Sequence, residues 1–178
     1  MRQLETVSMR TKLAFGVGAS GEAGTLWMFN ALTFFFYNQI LGLPADLAGI
    51  AVFIAIVFDA ITDPIMGSIS DRFRSKYGRR HPFMFVAPGP ILIALFFIFN
   101  PPDSVNTTFE LFVWYTFFTV LLRASLTLFT VPHLALGAEL SDDYDERSKV
   151  MSYNVLFGYV GVVFMHVFAW FVIFNNFE

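Results

Sequence analysis

The sequence predicts an all-α integral membrane protein of about five transmembrane helices, with its N-terminus cytoplasmic and its C-terminus outside. Three observations predict it. Only 14% of the 178 residues are charged, while 56% are hydrophobic and 24 are Phe. A soluble domain carries about 25% charged residues, so this chain has too few to cover a water-facing surface. Five stretches are apolar over the roughly 20 residues that a helix needs to cross a bilayer: 15–41, 47–69, 83–99, 111–136 and 150–174. Finally, ten of the 11 Lys and Arg residues fall in alternate connections, which lie on one side of these spans. They are Arg2, Arg10 and Lys12 in the N-terminal tail, five in the loop 70–82, and Arg147 and Lys149 in the loop 137–149, which the positive-inside rule makes cytoplasmic.

Each element has its own justification. The first span follows a tail, Met1–Lys12, and is too long and too Gly-broken for a cleavable signal peptide. Gly42-Leu43-Pro44-Ala45-Asp46 reads as the turn into the second span. That span ends in the basic loop Asp71 to His81. The third is short, and His81-Pro82 and Asn100 bring it to membrane thickness. Asn100-Pro101-Pro102-Asp103-Ser104 opens the next connection, and the fourth and fifth spans flank the loop 137–149. A net charge of −3 gives no pull toward nucleic acid, and the absence of Cys excludes disulfides, thiolate metal sites and Cys nucleophiles. Phosphate loops, a nucleophile elbow and the His-Glu-x-x-His zinc motif are absent, so no enzyme is expected.

Ionisable groups at mid-membrane cost several kcal/mol unless they are paired, hydrated or functional. Asp59 and Asp63, four residues apart on span two, project from one helix face, with Thr62 beside them. Two stacked carboxylates repel unless a cation or proton lies between them, and hard oxygen ligands suit Na⁺ or H₃O⁺ rather than a transition metal. Pro64 frees the Ala60 carbonyl at the same level. The bland alternative places Asp63 at the cytoplasmic end of the span, paired with loop arginines. Arg123 shares a face of span four with Thr127 and Thr130, ahead of Pro132. It could bind an anionic solute bidentately, or neutralise Asp59, Asp63 or Glu22. Both readings stay open. Glu22 lies in a Gly- and Ala-rich stretch, either facing a polar crevice of a packing helix or contacting solute or proton. His133 and His166 lie on different spans with no His or Cys paired to them in the sequence, and a haem or metal site on either, in a membrane enzyme, is the minor reading. Phe34-Phe35-Phe36 and Phe96-Phe97 read as lipid-facing bulk.

The run Asp59-Ala60-Ile61-Thr62-Asp63-Pro64 through Gly78-Arg79-Arg80-His81-Pro82 resembles the glycoside–pentoside–hexuronide:cation symporters, the melibiose-permease-like branch of the major facilitator superfamily. Lys12-Leu13-Ala14-Phe15-Gly16-Val17-Gly18 is similar to that family's entry to helix one. Pro132-His133-Leu134-Ala135-Leu136-Gly137-Ala138-Glu139-Leu140, with Asp143 to Arg147, is similar to its exit from helix four. The resemblance implies twelve helices in two six-helix halves, with sites between the halves. It implies that Asp59, Asp63 and Thr127 hold the coupling cation, Na⁺ or H⁺, and the neighbouring Thr62 hydroxyl is grouped with them from the spacing. It also implies that Gly67, Asp71, Arg72, Gly78, Arg79 and Arg80 form the cytoplasmic gating motif. Glu22, Arg123, Thr130 and His133 are the candidate solute contacts.

The departures are specific. Where melibiose-type members carry acidic galactoside ligands, this chain has Ala23, with Glu22 one residue earlier, and Thr130. Asn154 follows Tyr153 where many relatives have Arg. The resemblance therefore predicts a cation-coupled sugar, glycoside or uronide symporter working by alternating access in the bacterial inner membrane. Its expected partners are the lipid bilayer, a small solute and a missing C-terminal half. Residues 1–178 are expected to be an incomplete N-terminal domain, inactive alone, from a truncated, partial or split gene. The rival expectations are a non-transporting membrane remnant with an interaction role and a transporter of a non-sugar amphiphile such as a lysolipid.

Overall fold

The structure, a computed structural model, describes residues 6–173; Arg2 of the basic tail, Phe174 at the end of the fifth expected span and Glu178 lie outside them. The described residues are helical, in the order α1 (Met9–Met28), α2 (Ala45–Arg72), α3 (His81–Val86), α4 (Pro88–Phe99), α5 (Thr108–Glu139) and α6 (Tyr144–Phe168). Five-residue π turns follow α1 at Phe29–Thr33 and Phe36–Ile40, and another follows α6 at Ala169–Ile173. Four helical segments are long and apolar enough to cross a membrane: Ala45–Arg72, His81–Phe99, Thr108–Glu139 and Tyr144–Phe171. α1 is not among those four. Its regular part carries Arg10, Lys12, Glu22 and four glycines, and the π turns interrupt its apolar continuation.

Polar caps carry the helices past their apolar stretches. Ser8 accepts a hydrogen bond from the Thr11 amide at the start of α1, and Asp143 accepts one from the Glu146 amide at the start of α6. At α5 the cap is reciprocal: the Glu110 amide donates to Thr107 Oγ1 at 3.2 Å, and the Thr107 amide donates to Glu110 Oε2 at 3.0 Å. Pro64 and Pro132 lie inside α2 and α5, which continue through them. Gly42 (φ +74°) and Gly78 (φ +88°) take left-handed conformations at the two turns flanking α2, where a Cβ would be strained.

The chain forms two compact units. One comprises residues up to Asn30 together with Leu134 onward, and the other comprises Ala31–His133. In the first, α1 packs on α6. Contact is close because glycines remove side chains from the seam: a Cβ on Gly161 would lie 2.7 Å from Ser20 Cα, and one on Gly16 would lie 2.7 Å from Phe157. Ser20 Oγ donates to the Phe157 carbonyl at 2.7 Å across the same seam.

In the second unit, Ala48, Ala51 and Ala55 form a buried stripe along α2 at helical spacing. Tyr37 and Tyr115 stack at 4.1 Å and are fully buried, and Tyr37 Oη donates to the Ile98 carbonyl at 2.9 Å. Apolar side chains are exposed on this unit, as on a lipid-facing surface: Phe53 and Phe96 are each more than 60% exposed. Phe34, Phe35, Phe96 and Phe97 of the two Phe runs are likewise exposed, Phe97 also stacking on Phe118, whereas Phe36 packs on Phe99.

Candidate functional site

The second unit brings two of the candidate carboxylates onto α5. Arg123 Nε donates to Asp59 Oδ2 at 2.5 Å, and Arg123 Nη2 closes an ion pair with the same oxygen. One turn further on, Thr127 Oγ1 donates to Asp63 Oδ1 at 2.8 Å. The two contacts share one sequence offset, so α2 and α5 run parallel here and present successive rungs, i to i+4 on each helix. The Asp59 and Arg123 side chains keep only 16% and 21% of their exposure. Asp59 Oδ1 is buried without a hydrogen-bond partner. Asp63, by contrast, is exposed. The guanidinium thus pairs with Asp59 alone, and Asp63 lies one turn away on the Thr127 hydroxyl.

Of the two readings open for Arg123, the structure brings it onto Asp59. Thr62, grouped with the carboxylates in the sequence, turns back along its own helix, its hydroxyl donating to the Asp59 carbonyl at a long 3.5 Å. Thr62 and Thr127 line one apolar groove of about 350 Å³, with Phe58, Ile65, Met66 and Leu121. Thr130 is partly buried on α5, and His133 is buried, its ring 5.1 Å from Phe129. Glu22 is partly buried on α1, in the other unit, so it is not among the groups that the second unit assembles.

At the far end of α2 the residues expected to form a gating motif divide. Arg80 is buried, its Nη2 donating to Asp71 Oδ1 at 2.9 Å and its Nη1 reaching Ser70 Oγ at 3.5 Å. Asp71 remains 60% exposed. Arg72 and Arg79 are exposed, and Gly67 approaches Val131 loosely enough that an added methyl would make ordinary contact at 3.8 Å.

The sequence reading missed a second charged cluster. Lys12 Nζ donates to Glu146 Oε2 at 2.8 Å, Lys149 Nζ donates to Glu146 Oε1 at 2.7 Å, and the Val7 amide donates to Glu146 Oε2 at 3.3 Å. Glu146 sits in the first turn of α6, ahead of the apolar stretch that begins at Val150, and is only 4% exposed. Hydrogen bonds from Lys12 and then Lys149 hold its carboxyl down at about 2. The available signal was the placement of Lys12 and Glu146 in two blocks expected on the same side of the membrane.

Residues 14–177 match the family described as MFS/sugar transport protein, a family of transporters rather than enzymes. The chain is 35% identical over 165 residues to an uncharacterized symporter of Synechocystis sp., an alignment covering 89% of this chain and 30% of that protein. It is 30% identical over 161 residues to the inner membrane symporter YicJ of Escherichia coli, covering 88% of this chain and 34% of that one. It is 29% identical over 168 residues to the sodium-dependent lysophosphatidylcholine symporter 1 of Mus musculus, covering 91% and 31%. The chain spans about a third of the length of the relatives it matches.

Proposed function

Because the chain belongs to the MFS/sugar transport protein family, we propose that it is the N-terminal, cation-binding part of a cation-coupled symporter of the bacterial inner membrane. Its N-terminus and the loops 70–82 and 137–149 face the cytoplasm. The paired rungs on α2 and α5 carry this reading: Asp59 with Arg123 and Asp63 with Thr127. Carboxylate and hydroxyl oxygens are ligands for a hard monovalent cation, and two carboxylates with one guanidinium leave the negative charge that such an ion neutralises. Arg80 on Asp71 is the cytoplasmic latch of the same unit. The solute is a sugar, glycoside or uronide, in keeping with the family description. The similarity to the mouse lysophosphatidylcholine symporter supports a lysolipid as a second reading.

The mechanism is alternating access, in which cation and solute each favour the state that the other binds. The test is uptake in vesicles by the product of the complete reading frame that contains this sequence. The panel comprises a glucoside, a glucuronide and lysophosphatidylcholine, each with an inward Na⁺ gradient, a proton gradient or neither. Gradient-stimulated uptake that Asp63→Asn abolishes supports the reading. Stimulated uptake that survives both Asp59→Asn and Asp63→Asn removes it.

A further inference from the structure

Arg123 is out of place in a cation site. It brings a fixed positive charge to a carboxylate that a coupling cation would also need, and it does so asymmetrically. The guanidinium directs both of its N–H contacts at Asp59 Oδ2 and leaves Oδ1 buried without a hydrogen-bond partner. A guanidinium that served only to neutralise Asp59 would lie fork to fork across both oxygens, the stronger geometry. Here half of the carboxylate is ready for another ligand. The next rung is the complement. Asp63 makes no ion pair among the described residues and holds only the Thr127 hydroxyl. A monovalent ion seated between the rungs, on Asp59 Oδ1 and Asp63, would lie on the same carboxylate as the guanidinium, and like charges held that close repel.

We infer that Arg123 is a resident counter-cation that exchanges with the coupling ion. An alkali cation loads onto Asp59 and Asp63 by displacing the guanidinium from Asp59, and the displaced Arg123 then binds an anionic group of the solute, a carboxylate or a phosphate. This rests on the proposed cation site and adds to it the order of events and the charge class of the cargo. The exchange balances without any covalent step: one cation enters, one guanidinium leaves Asp59, and the anion on the solute supplies the charge that Arg123 has lost. Arg suits that second partner because its planar fork matches carboxylate and phosphate oxygens. Coupling follows from linkage. The empty site holds Arg123 away from solute, and an unbound solute leaves Arg123 competing with the cation, so each ligand strengthens the binding of the other by the same factor.

The test is direct Na⁺ binding, with ²²Na⁺ and Li⁺ as a competitor, to the detergent-solubilised product of the complete reading frame at constant ionic strength. Methyl glucuronide, methyl glucoside or lysophosphatidylcholine is present or absent. Removing the competing charge in Arg123→Gln is expected to tighten Na⁺ binding by roughly tenfold, within the range typical of coupled sites. In the wild type an anionic solute is expected to tighten Na⁺ by a similar factor and the neutral glucoside is not; in Arg123→Gln neither does. Arg123→Lys keeps the charge and loses the fork, so it is expected to hold Na⁺ near the wild-type affinity with a weakened solute effect, which separates exchange from a folding defect.

The glucuronide and lysophosphatidylcholine arms tell a carboxylate cargo from a phosphate one. Unchanged Na⁺ affinity in Arg123→Gln, alongside loss of Na⁺ binding in Asp63→Asn, overturns the exchange while leaving the cation site standing. Equal enhancement by the neutral glucoside overturns the anionic cargo. Na⁺ binding untouched by both Asp59→Asn and Asp63→Asn overturns the site itself, and absence of saturable Na⁺ or Li⁺ binding in every variant overturns the inference for alkali cations.

Discussion

Substituting three glycines of the α1–α6 unit by Ala should give a graded series whose order is fixed by what each new methyl meets. On Gly161 it meets the carbonyl oxygen, Cα at 2.7 Å and carbonyl carbon at 2.8 Å of Ser20. These are backbone atoms, and Ser20 is tied to α6 by its own hydrogen bond to Phe157, so the two helices must move apart. Overpacking costs about 1–3 kcal/mol, and a clash with backbone belongs at the upper end. For a chain of this length, about 3 kcal/mol lowers the melting temperature by roughly 6–12 °C. On Gly24 the nearest atom is Met165 Cγ at 2.8 Å, with the Gly161 carbonyl at 3.3 Å. A thioether chain can rotate away, leaving a cost of about 1 kcal/mol. On Gly21 nothing lies within 4 Å, and the methyl gains up to about 1 kcal/mol of helix propensity. Intrinsic tryptophan fluorescence during heating in detergent reads all three, and the chain has three Trp residues to report. A Gly161→Ala protein that melts within a degree of the wild type, or a Gly21→Ala protein that melts as low as Gly161→Ala, would refute the close α1–α6 contact.

Three other outcomes are expected. Thr127→Ala removes the hydroxyl on Asp63 and should weaken Na⁺ binding several-fold while Thr127→Ser preserves it; equal binding in both would separate Thr127 from the ion. Glu146 should make stability fall in acid: its folded value of about 2 lies below the ordinary 4.5, so its contribution is complete above about pH 4.5 and disappears as pH falls toward 2. Glu146→Gln should therefore flatten the melting temperature across that window, and a slope equal to the wild type's would show that Glu146 does not carry it. Arg74 and Lys76 are exposed on a loop expected in the cytoplasm, whereas Arg80 is buried. Trypsin should cut after Arg74 and Lys76 in inside-out vesicles and spare them in sealed right-side-out ones; the opposite pattern inverts the orientation.

Some of this protein is legible in the one-dimensional pattern, because a bilayer imposes rules that act locally. Scarce charge and apolar runs of span length specify membrane helices without knowledge of any neighbour. Helical periodicity puts Asp59 and Asp63 on one face for the same reason. Even the caps that extend α1, α5 and α6 are short-range, residue i with residue i+3. The interruption of helix one by π turns was not legible, since no Pro or charge marks Phe29–Thr33 or Phe36–Ile40.

What only the tertiary structure decided is which groups meet. From the sequence, Arg123 had three acidic candidates, Asp59, Asp63 and Glu22. The pairing was settled by the parallel register of α2 and α5, which aligns position 59 with 123 and 63 with 127. It took Asp59 for Arg123, left Asp63 to Thr127, and placed Glu22 in the unit of α1 and α6. The Lys12–Glu146 contact joins residues 134 positions apart, beyond the reach of any local periodicity. Helix formation depends on hydrogen bonds within four residues, whereas the register between helices depends on how their side chains interdigitate. The charges were therefore visible in the sequence, and their partners were not.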